Sequence, residues 1–110
     1  MTARFVLTRQ AQQDLSEIAE YLAEENGLDT AEHVVEKIRE TFRFLAERPG
    51  GGHVREDLSD DPAVKFWAVY SYLIAYEHDE RPLVIVCIVH GSRDPDEIQR
   101  HLRAPREAGR

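Results

Sequence analysis

The sequence has few of the residues that hold small proteins together through covalent bonds or metal ions. It contains a single cysteine among 110 residues, which excludes a disulfide framework. Cys87 lies inside the apolar run LVIVCIV, where we expect a small buried side chain. The five histidines, at positions 33, 53, 78, 90 and 101, lack the spacing of a metal motif such as HExxH. We therefore expect surface histidines, no metal site and no cofactor, in one domain over residues 1–110 that buries its own core.

Long apolar segments and positive net charge are also missing. No segment approaches the roughly 20 apolar residues of a membrane-spanning helix or has the pattern of a signal peptide, so we expect a cytoplasmic protein. The 14 basic and 21 acidic residues give a formal net charge of −7, which repels nucleic acid at long range. We therefore expect no sequence-specific DNA binding by this chain alone. The arginines concentrate late, and residues 104–110 are expected to form a flexible tail.

The first half has the pattern of a strand followed by two helices. A β-forming segment at 4–8 ends in Thr8, which is placed to cap a helix that runs to Gly27. Asp29 or Thr30 should cap a second helix, which the sequence RPGGG ends. Each helix has one apolar stripe, so we predict an antiparallel hairpin that packs on another layer. The stripes are Ala11, Leu15, Ile18 and Leu22, then Ala31, Val34, Val35, Ile38, Phe42 and Leu45, with Asp14, Glu17, Glu20 and Glu24 facing mostly elsewhere.

The second half is rich in β-branched and aromatic residues without helical periodicity. We predict strands over 64–77 and 83–90, the first divided near Tyr70-Ser71, with a polar turn between them and a short edge segment at 53–58. Asp94, Pro95 and Glu97 are spaced as the start of a helix to about Leu102. The whole chain therefore predicts an α+β domain with a helical hairpin on a small antiparallel sheet.

Four segments in this order resemble the ParE branch of the RelE/ParE superfamily of type II toxin–antitoxin systems. They are AQQDLSEIAEYLAEEN, RPGGGHVREDL, YSYLIAYE and IVHGSRD, and the resemblance covers residues 4 to about 98. It implies a β-α-α-β-β-β fold and a cognate antitoxin, encoded next to this chain, with a DNA-binding segment and an amphipathic tail. The motif residues that carry the resemblance are Arg55, Tyr72, Tyr76, His90, Gly91, Arg93 and Asp94.

The superfamily has two activities, which require different residues. RelE-like ribonucleases typically place an arginine directly after the tyrosine of the central strand, where it can bind phosphate. Here Leu73 follows Tyr72, and the only lysines are Lys37 and Lys65. The resemblance therefore implies a ParE-like toxin that inhibits DNA gyrase by protein contact when it is free of antitoxin. A RelE-like ribosome-dependent ribonuclease and a non-toxic co-regulator that binds antitoxin remain the alternatives.

The segment HGSRD contains the most reactive side chains of the motif. His90 could be a general base, but a single histidine without a positioned partner is more often structural, so we assign no catalytic residue. Arg93 could bind phosphate, contact carboxylates of a partner, or pair with Asp57 or Asp94, and Asp94 is best interpreted as a helix cap.

Three late arginines are the candidates for target binding. Arg93, Arg100 and Arg103 are separated by seven and three residues, which favours one shared face once the terminal helix begins. Arg55, Glu56 and Asp57 are more simply an ion-paired loop, and Phe66 and Trp67 should face opposite sides of a strand.

Overall fold

The computed structural model of the protein describes residues 4–103, and in this range the elements follow the predicted order. A short 3-10 helix, Pro49–Gly51, follows the second α-helix. Residues 104–110, for which we predicted a flexible tail, lie outside the described residues. The elements are β1 (Phe5–Leu7), α1 (Arg9–Asn26), α2 (Leu28–Glu47), β2 (Val64–Val69), β3 (Tyr72–Glu77), β4 (Leu83–His90) and α3 (Pro95–Leu102).

The four strands form one sheet in the order β1-β4-β3-β2. Strands β2, β3 and β4 are antiparallel neighbours, as predicted, but β1 pairs with β4 in the parallel direction, with Phe5 opposite Leu83. The sheet is therefore mixed rather than antiparallel throughout. A parallel pair needs a long crossover connection, and the helical hairpin with β2 and β3 supplies it. The α+β class is confirmed.

A β-bulge in β4 changes which side chains share a face of the sheet. Ala75 pairs with Cys87, whereas the next residue, Tyr76, pairs with Ile85, so Val86 is an extra residue in β4. As a result Val86 and Cys87 both belong to the same core cluster. All residues of β4 except His90 are buried. Burial of both faces explains the continuous apolar run of this strand.

Two core clusters lie on the two faces of the sheet. The helical hairpin covers one face with most of its predicted stripe residues, which pack against Ile74, Tyr76 and Ile85. The other face is covered by α3 and by the loop before β2. Phe66 belongs to this second cluster and Trp67 packs against the first, which confirms that they face opposite sides. The second cluster is Leu58, Val64, Phe66, Ala75, Val84, Val86, Cys87, Val89, Ile98 and Leu102.

The helix caps agree with the sequence in two of three cases. Thr8 accepts the N–H of Ala11 at 3.1 Å, and Asp94 accepts the N–H of Asp96 at 2.8 Å. The prediction that Asp29 or Thr30 caps α2 was wrong. Gly27 is the cap, with φ of 92° and no side-chain hydrogen bond, because a single residue connects the two helices. Asp29 instead lies in the first turn of α2, where its negative charge interacts favourably with the positive end of the helix dipole.

The segments between the helices and strands are short or locally bonded. The predicted edge segment at 53–58 is reduced to one bridge, in which His53 exchanges backbone hydrogen bonds with Phe66. Tyr70 and Ser71 form the loop between β2 and β3, as predicted. Across residues 4–103, none of the helices combines the length and the apolar character needed to cross a membrane.

Candidate functional site

A groove of about 620 Å³ opens between α1 and the ends of β3 and β4. We call it the α1–β4 groove. Two tyrosines on its margin are unusually exposed for aromatic residues, Tyr21 at 60 % and Tyr70 at 58 %. The groove is lined by Asp14, Glu17, Ile18, Tyr21, Leu22, Val34, Tyr70, Ser71, Tyr72, Ile88, Val89, His90 and Arg93. Its walls are therefore mainly apolar and aromatic, a composition typical of sites that bind peptides.

Arg93 is the one cation among the residues that line this groove. Its backbone N–H donates to the carbonyl oxygen of His90 at 3.1 Å and closes the turn after β4. Within residues 4–103 its guanidinium forms no ion pair, so the alternatives in which it pairs with Asp57 or Asp94 are wrong. The guanidinium is therefore available to a partner.

Contacts with Ser92 determine which ring nitrogen of His90 carries the proton. Its Nδ1 accepts the backbone N–H of Ser92 at 3.2 Å and lies 2.6 Å from the Ser92 hydroxyl oxygen. A neutral imidazole whose Nδ1 accepts hydrogen bonds has its proton on Nε2, so its basic lone pair is the one on Nδ1 that Ser92 already engages. The ring also packs edge-on against Tyr72, with centroids 5.5 Å apart. These contacts support a structural role.

Tyr72 has the properties of a neutral contact residue. The pKa of its phenol is raised, first by burial and second by the nearby Tyr21. A phenol with the ordinary pKa of about 10 is already neutral at physiological pH, and the raised pKa makes Tyr72 still less able to act as a base.

Tyr70 lies at the tip of the β2–β3 hairpin in a left-handed backbone conformation, with φ of 51°. Such a conformation costs about 1–2 kcal/mol for a residue other than glycine. Its side chain is largely exposed, so packing does not explain the choice of tyrosine. Backbone strain of this kind is frequent at functional sites, and here it holds an exposed aromatic ring at the margin of the groove.

Other motif residues stabilise structure away from the groove. Tyr76 is fully buried, where its hydroxyl accepts the N–H of Gly52 at 2.9 Å and donates to the carbonyl oxygen of Pro49 at 2.8 Å. Burial raises the pKa of Tyr76, although the hydrogen bond from Gly52 acts in the opposite direction. A Cβ atom at Gly52 would collide with the Tyr76 hydroxyl and lie 2.8 Å from the Phe66 carbonyl oxygen. This close approach explains why the third glycine of the RPGGG segment, Gly52, cannot have a side chain.

Arg55 and Asp57 form the predicted ion pair within the loop before β2. Two nearly parallel hydrogen bonds of 2.9 and 2.8 Å join the guanidinium to the carboxylate. The hydrogen bond lowers the pKa of Asp57 and raises that of Arg55. The Asp57 carbonyl oxygen also accepts the side-chain amide of Gln99 at 2.7 Å, so this loop is tied to α3.

Gly91 lies in the turn after β4, where its N–H donates to the Ser71 carbonyl oxygen at 2.7 Å. A Cβ atom at this position would lie 3.3 Å from the same oxygen, so the tight turn favours a residue without a side chain.

The three arginines proposed for target binding do not line one groove. Arg93 precedes α3, so the helical spacing that favoured a shared face does not include it. Arg103 lines a separate recess with Asp60 and Asp61, and Arg100 is exposed on α3. All three are accessible, and Arg93 alone reaches the α1–β4 groove.

Sequence reasoning missed a buried contact between α1 and α3. Asp14 is only 5 % exposed, and its carboxylate accepts the N–H of Ile88 at 2.9 Å and hydrogen bonds from His101 Nε2 at 2.9 and 3.0 Å. The predictions that Asp14 faces away from the apolar stripe and that His101 is a surface histidine were therefore wrong. One signal was present, because Asp14 is three residues after Ala11 and four before Ile18, on the stripe itself.

The cationic features of the related nucleases are not found at this groove. The side chain of Leu73 packs against the second core cluster, away from the hairpin. Lys37 pairs with Glu40 on α2, and Lys65 approaches the carbonyl oxygen of Gly50 at 3.5 Å. Neither lysine lines the α1–β4 groove.

Comparisons with known proteins agree with this architecture. The family model described as the ParE toxin of the type II toxin–antitoxin system, parDE, matches residues 5–95. The fold is similar to that of a chain in the solved structure of the chromosomal ParDE TA system from P. aeruginosa. The TM-score is 0.67 and the identity 21 %, covering 81 % of this chain and 96 % of that chain. Among functionally curated proteins, no sequence matches this chain. The family match covers most of the sequence, and the chain therefore belongs to the ParE toxin family of type II toxin–antitoxin systems.

Proposed function

We propose that this chain is neutralised by a cognate antitoxin bound in the α1–β4 groove and that the free toxin inhibits DNA gyrase by protein contact in the cytoplasm. The observation that carries the proposal is the character of the groove. It is mainly apolar, has exposed tyrosines at its margin, and contains the guanidinium of Arg93 without an ion-pair partner within residues 4–103. The family to which the chain belongs supplies the class of partner.

An amphipathic helix is the occupant that best fits these features. Its apolar face would contact Ile18 and Leu22 of α1 together with Tyr72, while the two exposed tyrosines pack along its sides. One carboxylate on that helix would pair with Arg93 and form a charge-assisted hydrogen bond. For an interface that wraps a small domain we expect a Kd of roughly nanomolar or tighter.

Inhibition by contact fits the groove better than RNA cleavage. Metal-independent cleavage of RNA requires several cations to stabilise the charge that develops on phosphate. Only Arg93 is available among the lining residues, which also include the carboxylates of Asp14 and Glu17. Burial raises the pKa of Tyr72, which makes its phenol a poorer base catalyst, and the Nδ1 of His90 is engaged by Ser92.

The target surface in this proposal consists of Arg93, Arg100 and Arg103. All three residues are exposed: Arg93 lies in the turn before α3, Arg100 on α3 and Arg103 at its C-terminal cap. Substitution of Arg100 and Arg103 by glutamate should abolish toxicity while the fold and antitoxin binding persist, since exposed substitutions usually change stability by about 0.5 kcal/mol or less. A matched control is the double substitution Arg39→Glu and Arg43→Glu, which makes the same charge change on exposed positions of α2.

Induced expression of these variants tests the proposal in cells. Wild type and the α2 control should cause filamentation and a DNA-damage response while bulk messenger RNA stays intact, and the α3 variant should not. His90→Ala should lose much less than the roughly hundredfold that removal of a general base costs. A fully toxic α3 variant, or an inert but folded His90→Ala, would place the active surface elsewhere. Messages cut at ribosomal A sites within minutes would replace gyrase inhibition with ribonuclease activity.

A further inference from the structure

We propose that Asp14, Cys87 and His101 form a binding site for a zinc ion, with water as the fourth ligand. These residues come from α1, β4 and α3, and each offers one of the ligand types that zinc prefers: a carboxylate, a thiolate and an imidazole. The three residues are too far apart in sequence to form a recognisable motif.

The ligand atoms are already close together. A carboxylate oxygen of Asp14, the sulfur of Cys87 and a ring nitrogen of His101 all lie within 4.8 Å of one another. Bond lengths of about 2.0–2.3 Å place the ligands of tetrahedral zinc roughly 3.3–3.8 Å apart. Zinc binding therefore requires side-chain shifts of about 1 Å, which rotamer adjustments can provide.

The surrounding contacts orient the carboxylate. The Ile88 N–H and the Gln10 side-chain amide donate to its two oxygens, each at 2.9 Å. Outer hydrogen bonds of this kind fix the direction of metal ligands and raise their affinity. The β4 bulge contributes as well, because it brings Cys87 onto the face that α3 covers. The side chain of His101 is 20 % exposed, which leaves a route from solvent.

The charges of the site match a divalent ion. Asp14 and Cys87 are buried, and a carboxylate and a thiolate together neutralise Zn²⁺ in a place where a single uncompensated charge would be costly. On binding, the ion replaces the thiol proton, which leaves to solvent, and takes the position of the hydrogen on His101 Nε2, which moves to Nδ1. The existing hydrogen bond between Asp14 and His101 is thereby replaced by two metal–ligand bonds.

Metal titration of untagged protein tests this inference directly. Cobalt is a spectroscopic substitute for zinc, and we expect intense visible bands of tetrahedral Co²⁺ together with a sulfur-to-cobalt charge-transfer band that zinc abolishes. Zinc should also raise the melting temperature of the wild type. Weak, octahedral cobalt bands without the charge-transfer feature would overturn the proposal, and this measurement needs no substitution.

Substitution of the proposed ligands tests which residues bind the zinc ion. Cys87→Ala and His101→Ala should each weaken zinc binding about tenfold or more by calorimetry, whereas His33→Ala, which removes an exposed histidine on α2, should leave it unchanged. Cys87→Ala replaces one small buried side chain by another, and circular dichroism verifies its fold. If either variant fails to fold, the cobalt spectrum of the wild type decides. Equal zinc affinity of folded Cys87→Ala and wild type would show that Asp14 and His101 form a hydrogen bond only.

Discussion

Substitution of Asp14 by alanine should destabilise the fold far more than substitution of an exposed acidic residue of α1. The carboxylate accepts hydrogen bonds from the buried N–H of Ile88 and from His101, so it links α1 by hydrogen bonds to both β4 and α3. A buried donor left without a partner costs about 1–3 kcal/mol, and a hydrogen bond to a charged group contributes about 1.5–3 kcal/mol. Water can reach the partly exposed His101 and replace part of the hydrogen-bond energy that is lost there.

We therefore expect the free energy of unfolding to fall by about 2–4 kcal/mol in Asp14→Ala, and by about 1 kcal/mol in Asp14→Asn. Asparagine keeps a carbonyl oxygen for the Ile88 N–H. The matched control is Glu17→Ala, one turn further along α1 at an exposed position, which should change stability by about 0.5 kcal/mol or less.

Urea unfolding followed by circular dichroism measures these differences, with a chelator present so that bound metal does not contribute. With a slope of about 2 kcal/mol/M, the midpoint of Asp14→Ala should shift by about 1–2 M while the slope stays the same. If Asp14→Ala and Glu17→Ala have the same midpoint, the carboxylate does not hold these elements together and the reasoning is refuted.

Three further predictions follow from individual contacts. Burial raises the folded-state pKa of Tyr76, so the stability that its neutral phenol contributes is fully present below the unfolded pKa of about 10 and is lost as pH rises through the folded pKa. Tyr76→Phe should therefore flatten the fall in the free energy of unfolding at alkaline pH. An unchanged alkaline profile would contradict this. Gly52→Ala should lower the melting temperature strongly because its Cβ would collide with neighbouring atoms, whereas a Cβ at Gly50 would have nothing within 4 Å and Gly50→Ala should not. Equal melting temperatures of the two variants would contradict this prediction. Arg93→Glu should weaken antitoxin binding in calorimetry about tenfold or more, and the control Arg39→Glu should not; equal affinities would remove Arg93 from the interface.

The helical half of the fold is predictable from the sequence because its signals are local. The apolar stripes of α1 and α2 depend on spacings of three and four residues, and Thr8 is adjacent to the helix that it caps. The cap of α2 was missed because Gly27 ends one helix and begins the next, and the polar residues after it offered a more usual cap.

The sheet and the candidate sites are less predictable because they depend on distant residues. The parallel pairing of β1 with β4 joins residues about eighty positions apart, and no local pattern fixes its direction. The bulge at Val86 interrupts an apolar run in which every residue is buried, so the sequence has no alternation of polar and apolar residues that could reveal the bulge. The contact between Asp14 and His101 spans 87 positions and exists only when α3 has packed on the sheet.

Cleavage of supercoiled plasmid by purified DNA gyrase tests the central claim most directly. Added toxin should cause linear plasmid to accumulate, covalently attached to gyrase, and prior addition of the cognate antitoxin should prevent it. The Arg100→Glu, Arg103→Glu variant should be inactive in the same reaction. If gyrase is unaffected at every toxin concentration while the same preparation cuts messenger RNA on ribosomes, the proposed mode of action is wrong.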